Sequence, residues 1–526
     1  MSHSSEPPKS FWDYFTQDPP PKEPGFLQFF AGPPDPTATP PADLLRGDAH
    51  HFHWAMRSLP VEEATKHMLL CGMTGSGKTT AINLVLQSLA HRFRRDAPRP
   101  EQLILFDAKN DALPLLASLG LKPDADNVWI LNPYDARSAV WDLGDAVQTP
   151  ALARALATLL VPEEPNATAR YFSDAARDLV YAVILGLREV SGSKWTFRDL
   201  LCALDSREHI LGVAAHSPRG GRLARAILAD TQHSFSVIST LATKTGHFEA
   251  VAALWHTNRT GRRFTIQEFM RRPGVLVLGN DPVLRESFWP INAILLKALS
   301  HYILRQPNTH QPRHWFVLDE FRAMEKVDCI HQLLNRGRSK GAAVLLGIQS
   351  LEGLIEVYGE HGAHDIVSQC ALKVFLRPGG PKTAEWAEHH FGKVRRIERT
   401  VTQTRGGEHS TTSVQTSLQE RSLFLSSYFL GLPLPAPGRP YVAICDLPHL
   451  QQVSVIRRSF DEVLSWCPRP QPEIVPGLVP RTDAAGQTLR PWTEEEERRF
   501  CGPPATPGQA GDAPVPKLPP RRRLEE

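Results

Sequence analysis

The stretch MLLCGMTGSGKTTAINLVL, Met68–Leu86, decides the fold. A short apolar run enters a glycine-rich turn, and apolar residues at helical spacing follow, with Ile82, Val85, Leu86 and Leu89 on one face. Inside it, Gly72-Met73-Thr74-Gly75-Ser76-Gly77-Lys78-Thr79 fits GxxxxGK[ST] at every fixed position, and Thr80 follows directly. The glycines let backbone N–H groups turn toward phosphate oxygens without a Cβ in the way. Lys78 would place its ammonium on the β- and γ-phosphates, and Thr79 would ligate Mg²⁺. The helix that starts near Thr79 points its positive end at the same charge. Strand, loop and helix in that order predict that Gly72 to Thr80 binds ATP or a close analogue.

Such a loop needs a partner strand that ends in acid. HWFVLDEF provides it: the apolar run Trp315–Leu318 stops at Asp319 and Glu320. Asp319 is expected to hold Mg²⁺ through water, and Glu320 to polarise the attacking water. After a helical stretch come NRGRSKG (Asn335–Gly341), the strand-like AAVLLGI, and Gln349. In a parallel sheet ligands gather at the carboxyl ends of strands, which puts Gln349 beside Asp319 and Glu320. Arg338 precedes the same strand and belongs to the opposite edge. Seven residues of strand span ~23 Å, so Arg338 is out of reach of its own subunit's nucleotide but within reach of a neighbour's in a ring. It reads either as an arginine finger acting in trans or as a surface arginine in a basic turn.

Further out, short apolar runs alternate with helical patterns. HMLLCG, LILFDA, VWILNP, GVLVLG, HWFVLDE, AAVLLGI and LKVFLR are the strand candidates. Strands separated by helices predict an α/β fold, a mainly parallel sheet covered on both faces. From about Pro150 to Met270 the pattern turns mostly helical, which predicts an all-α insertion between two strands of the core. The expected organisation is a Pro-rich, largely extended segment over 1–45, the first part of a RecA-like P-loop ATPase domain over 46–148, the insertion over 149–270, the second ATPase part over 271–467, and a disordered Pro-rich tail over 468–526. Proline supports the two ends: 24 of the 46 prolines fall in 1–41 and 468–526. FWDYF and FLQFF near the start are apolar enough to dock onto something.

Composition narrows the function classes. A formal charge of +3 over 526 residues makes any nucleic-acid surface a local one. Seven cysteines without a CxxC pair suit a reducing cytoplasm and argue against a disulfide framework or a structural zinc site. No apolar run approaches the ~20 residues that span a bilayer. The basic clusters NRTGRRF (Arg259, Arg262, Arg263) and GKVRR (Lys393, Arg395, Arg396) are candidates for DNA backbone contact or for solvated faces.

GMTGSGKTT, LNPYDARSAVWDL, HWFVLDEF, GRSKGAAVLLGIQSLEGLIEVYG and ERSLFLSSYFLGLP together resemble the type IV secretion coupling proteins of the TraD/TraG type, hexameric ATPases of the FtsK/HerA-like group of DNA pumps. The similarity runs in order from about Lys66 to Pro448. It implies an α/β motor with an inserted all-α domain, DNA as a cargo bound without sequence specificity, a hexameric ring, and secretion-channel and DNA-processing partners. The family's working residues fall on Lys78, Thr79, Asp319, Glu320, Gln349 and, in trans, Arg338; Lys66 falls where the family has a basic residue near the nucleotide. There are two departures. The turn after the second strand is DAKND (Asp107–Asp111) where the family commonly has a DPKGE-like sequence, and the membrane helices that open most family members have no counterpart here. The second departure suggests a separate membrane anchor protein and a peripheral place at the inner membrane. Two alternatives stay open: a HerA-like pump acting on duplex DNA in processing or defence, and an adaptor whose nucleotide site only sets shape.

Overall fold

A computed structural model describes residues 48–502, except 142, 165, 258–260, 281–284, 325, 328, 407–408, 448–451 and 483–487. The expected extended segment at 1–45, with FWDYF and FLQFF, lies outside the described residues, as does the end of the chain beyond 502.

Nine strands form the main sheet, numbered here along the chain: β1 Met68–Cys71, β2 Gln102–Asp107, β3 Val128–Leu131, β4 Gly274–Gly279, β5 Thr309–Leu318, β6 Lys340–Ile348, β7 Leu372–Phe375, β8 Pro440–Leu447 and β9 Gln452–Ser459. Their order is β9-β8-β7-β1-β6-β5-β2-β4-β3. The seven from β7 to β3 are parallel, whereas β8 and β9 are added antiparallel at one edge. All seven parallel strands are the ones the apolar runs predict.

Their side chains alternate between two cores, which is why the runs are continuously apolar. Leu103, Leu105, Val275, Val277 and Leu345 face one core, shared with the helix Lys78–Leu89 and with the hairpin His51–Trp54/Arg57–Pro60. Ile104, Phe106, Leu276, Leu278 and Leu346 face the other.

That second core continues into the segment between β3 and β4. Among the described residues, seven helices from Pro150–Leu160 through the long Ala167–Ser191 to Glu249–Thr257 make up most of it, with the short helices Leu143–Ala146 and Ile266–Phe269 on either side. Its base is closed by Val140–Trp141 pairing in parallel with Arg263–Phe264. Leu179, Tyr181, Ile184 and Trp255 belong to the same buried cluster as Leu278 and Phe316, so the helices and the sheet share one packed interior.

Two parts of the chain differ from the sequence expectation. The strands Lys393–Gly406 and His409–Ser422 pair in register over 14 residues each as a two-stranded antiparallel ribbon. The segment beyond 468, expected to be disordered, folds in part. Residues 488–502 pack on the helical insertion: Trp492 is buried and stacks on Phe500, and its indole N–H donates to Asp199 Oδ1 at 3.1 Å. A capping box of Thr493 and Glu496 starts the helix Glu494–Cys501. Glu496 then receives the Arg198 guanidinium at 2.9 Å, and that hydrogen bond, with the first-turn backbone, pushes its pKa down to about 2. The run EEEERR carries no local sign of this contact, because its partner, Arg198, is nearly 300 residues away in the chain. Among the described residues, no helix is long and apolar enough to cross a membrane.

Candidate active site

Because seven strands run parallel, their carboxyl ends meet at one edge. In spatial order this edge carries Arg377 after β7, the glycine-rich loop after β1, Gln349 after β6, Asp319 and Glu320 after β5, and Asp107 at the end of β2. The glycine-rich loop and the acidic pair are separated by one strand, roughly 10 Å at the usual strand spacing. That gap suits a polyphosphate, a metal ion and a water.

The loop is anchored on both sides. Gly72 N–H donates to Ile348 O at 3.0 Å and Met73 N–H to Arg377 O at 2.8 Å. Thr74 and Gly75 are exposed at its tip. Gly77, with φ +95°, turns the chain into the helix that begins at Lys78. Lys78 Nζ donates to Gly72 O at 2.7 Å and Met73 O at 3.4 Å, so the ammonium lies inside the loop. Burial lowers its pKa, against the pull of Asp319. Ser76 Oγ is buried without a hydrogen-bond partner, and a Cβ on Gly72 would fall 2.5 Å from it. Thr79 is exposed and Thr80 half-buried on the first helical turn. A cradle of backbone N–H groups, an inward ammonium and an unsatisfied hydroxyl fit a phosphate chain, and Thr79 with Asp319 supplies hard oxygen donors of the kind Mg²⁺ takes.

Asp319, Glu320 and Gln349 come together as the sequence implies. Gln349 Nε2 donates to Glu320 Oε1 at 3.5 Å. Burial raises the Asp319 pKa, offset by Lys109 and Lys78. Gly347 lies so close to Asp319 that a Cβ there would be 2.6 Å from its Oδ1. Glu320 has φ +54°, a left-handed conformation that costs a non-glycine residue ~1–3 kcal/mol and persists only where neighbours enforce it. Three do: Glu320 N–H donates to Asp319 Oδ1 at 2.9 Å, Glu320 O accepts from Ala323 N at 2.7 Å, and Lys109 Nζ reaches Glu320 Oε1 at 2.7 Å. Beside Glu320 and Gln349 a cavity of about 660 Å³ opens, lined also by Arg322, Lys326 and Glu356.

The Lys109 contact is what the sequence left undetermined in the DAKND turn. Asp107 builds that turn by accepting backbone N–H groups from Lys109, Asp111 and Ala112 at 3.4, 3.1 and 3.2 Å. Burial, with Asp111 nearby, pushes the Asp107 carboxyl up to about 6. Burial alone would lower the Lys109 pKa, but its hydrogen bond to Glu320 and the charge of Asp319 raise it.

Arg338 is not part of this cluster. It lies exposed in the turn before β6, and the nine residues of β6 span roughly 30 Å to the edge that carries Gln349. Lys66 also precedes its strand, and its ammonium is held by both oxygens of Glu63 at 2.7 Å. The structure thus sets Lys66 at the edge opposite its own chain's phosphate loop, because the loop follows β1 and Lys66 precedes it.

The two basic clusters do not survive as equals. Arg262 is used internally: its guanidinium donates to the carbonyls of Ala125, Val128 and Asp126 at 2.9, 2.8 and 2.6 Å and lies 4.1 Å from the Trp129 ring centre. Arg263 and Lys393 are exposed, Arg395 pairs with Glu420 at 3.0 Å, and Arg259 lies outside the described residues. A basic face that the clusters missed lies on the helix Pro218–Ile227. Gly220, Gly221 and Ala224 are buried, and a Cβ on Gly220 would fall 2.7 Å from Ala182 O. Arg219, Arg222 and Arg225 are exposed on the opposite side. Three arginines at spacing three are the signal that marks one helix face.

A family model described as the type IV secretion-system coupling protein DNA-binding domain matches residues 52–435. The coupling protein TraD of Escherichia coli (strain K12) is 23% identical over 418 residues, which covers 77% of this chain and 55% of TraD, so the chain spans little more than half of that relative's length. Among solved structures, the unbound monoclinic form of the bacterial conjugative coupling protein TrwBΔN70 superposes with a TM-score of 0.62 at 18% identity, covering 84% of this chain and 93% of that one. The plasmid coupling protein TrwB in complex with ADP and Mg²⁺ superposes with a TM-score of 0.59 at 17% identity, covering 84% and 94%.

Proposed function

The chain belongs to the type IV secretion-system coupling protein DNA-binding domain family, and we propose that it is an ATP-driven motor that moves DNA, with attached protein, toward a type IV secretion channel in conjugative transfer. The observation that carries this reading is the edge where Lys78, Asp319, Glu320 and Gln349 converge from three adjacent parallel strands. TrwB, of the same fold, binds ADP and Mg²⁺, which supports ATP and Mg²⁺ as the ligands here.

In this mechanism the loop from Gly72 to Thr80 binds the phosphates through backbone N–H groups and Lys78. Thr79 and Asp319 would hold Mg²⁺, which when bound neutralises charge developing on the β- and γ-phosphates. Glu320 accepts a proton from the attacking water. Gln349, within hydrogen-bond reach of Glu320, orients that water. Lys109, 2.7 Å from Glu320 Oε1, fixes its direction. Arg338 of an adjacent copy in a ring supplies the last positive charge, since its own sheet keeps it roughly 30 Å from its own Gln349.

DNA contact is expected to be mainly with the phosphate backbone, with Arg219, Arg222 and Arg225 as the strongest exposed group and Arg263 and Lys393 as further contributors. Membrane attachment through a separate protein remains part of the proposal. Measuring ATP turnover with and without DNA tests the motor: stimulation by DNA of any sequence is expected, and sequence-independent binding without turnover would favour an adaptor. Co-purification with secretion-channel components tests the coupling role, and its failure alongside DNA-stimulated turnover would favour a HerA-like pump.

A further inference from the structure

The segment 474–481 crosses the nucleotide edge before the chain reaches the helical insertion. It has no role in the mechanism above. Its path is fixed by residues in LNPYDAR. Asp135, 1% exposed, accepts two hydrogen bonds from the Arg137 side chain, 2.9 Å from Nε and 2.6 Å from Nη2, and a third from Val479 N–H at 3.4 Å. Arg137 in turn donates to Pro476 O at 2.8 Å and Gly477 O at 3.1 Å. Ala136 N–H donates to Val479 O at 2.8 Å, and Arg481 N–H to Tyr134 O at 3.0 Å. The clamp presses Gly477 onto the DAKND turn so closely that a Cβ on Gly477 would overlap the Asn110 carbonyl oxygen. Asn110 is left-handed, with φ +58°, and follows Lys109, the residue bound to Glu320.

The same chain is fixed to the insertion. Arg481 donates to Leu254 O at 2.7 Å and to Thr257 Oγ1 at 3.1 Å. Beyond it, Arg198 binds Glu496 and the carbonyls of Arg490 and Pro491 at 2.8 and 2.6 Å.

We infer that residues 474–481 are a strap that positions the Lys109 turn for reaction: Arg137 and Gly477 set the turn, the turn sets Lys109, and Lys109 sets Glu320. The inference rests on the ATPase reading for its kinetic consequence only. The strap packs on the nucleotide turn at Gly477 and is hydrogen-bonded to the helices through Arg481. Displacement of the insertion therefore has a route to Glu320 through the turn and Lys109, beside the packed interior shared with the sheet. Within the DAKND turn Asp107 accepts the backbone N–H groups of Lys109, Asp111 and Ala112, and Gly477 of the strap lies against the Asn110 carbonyl.

The test is a double-mutant cycle on the full chain, with hydrogen exchange beside it. Gly477→Ala forces the strap off the turn, and Arg137→Lys keeps the charge but loses the fork to two carbonyls. Each is expected to lower kcat for ATP roughly tenfold with KM changed less than about twofold, and to speed amide exchange in residues 107–112. Lys109→Ala should lower kcat by a similar factor, and adding either strap variant to it should cost little more, because all three act through one contact. Additive losses would overturn the inference, as would unchanged kcat in a folded Gly477→Ala or Arg137→Lys protein. Should Gly477→Ala not fold, Arg137→Lys carries the test alone. A wild-type chain without ATPase activity would sink the functional reading while leaving exchange at 107–112 to decide the strap: no change there in either variant would overturn it.

Discussion

Lys109 Nζ lies 2.7 Å from Glu320 Oε1, and the two residues come from different strand ends, after β2 and after β5. Glu320 is therefore gripped from both sides, by Lys109 and by Gln349 Nε2 at 3.5 Å from the same oxygen. In the proposed mechanism Glu320 accepts a proton from water, and a base in that role needs one fixed direction. The Lys109 ammonium supplies that direction, and the left-handed backbone of Glu320 is held by Asp319 Oδ1 and by Ala323 N–H.

Lys78 and Glu320 should fail in different ways. Lys78→Ala removes the buried cation from the loop, so nucleotide binding and turnover both fall. Glu320→Gln keeps shape and hydrogen bonding but cannot take a proton, so ATP still binds and turnover falls by ~10²–10⁴. Equilibrium binding of a fluorescent ATP analogue, measured beside phosphate release, checks both. Wild-type turnover by Glu320→Gln would remove Glu320 from the role assigned to it.

Gly347→Ala should damage the site without touching ligand. The new Cβ would stand 2.6 Å from Asp319 Oδ1 and push the carboxylate aside. An ångström of displacement costs up to ~10²-fold in rate. Turnover should therefore fall, the Mg²⁺ concentration for half-maximal rate should rise, and binding of nucleotide without Mg²⁺ should stay near the wild-type value. Kinetics across a Mg²⁺ titration would settle it.

The two antiparallel edge strands and the ribbon show where sequence reading runs out. LILFD and GVLVLG are legible because burial on both faces makes them continuously apolar. QVSVIRRS alternates and lies at the sheet edge, and the ribbon Lys393–Ser422 is rich in Thr, Ser, Gln and Arg, the composition of a loop. In the site, the glycine-rich loop and the Asp319–Glu320 pair are local motifs and could be read directly. The Lys109–Glu320 contact, the Gly477–Asn110 contact and the capture of Arg262 by Ala125, Asp126 and Val128 join residues far apart in the chain, so no local pattern records them. Trp492 was hidden for the same reason, as an aromatic in a charged, proline-bearing tail whose partner Asp199 is elsewhere.

Acid should destabilise the fold well above the carboxylate range. His53, His67 and His314 are buried, and burial pushes their pKa values down to about 4, 4 and 3 from an ordinary 6.5. They stay neutral in the folded protein but take up protons when it unfolds below 6.5. The unfolded state then binds more protons, so the stability these groups contribute is complete above pH 6.5 and is lost as pH falls toward 4. Thermal unfolding from pH 7.5 to 5 should show Tm falling progressively below about pH 6.5. A flat Tm over that range would mean the three imidazoles are not held neutral.

The most direct measurement mixes two inactive proteins. If the working site is shared between neighbours in a ring, Arg338→Ala has an intact phosphate loop but offers no finger, and Lys78→Ala offers the finger but has no working loop. Each alone should be slower than wild type, with Arg338→Ala reduced by ~10³–10⁵. ATP turnover is then measured across mixing ratios, with DNA present to favour assembly. Turnover is predicted to return in the mixtures and to peak at an intermediate ratio, where an Arg338→Ala site meets the arginine of a Lys78→Ala neighbour. No recovery at any ratio from subunits shown to co-assemble, or an Arg338→Ala protein that hydrolyses ATP at the wild-type rate, would contradict a site completed by a second copy.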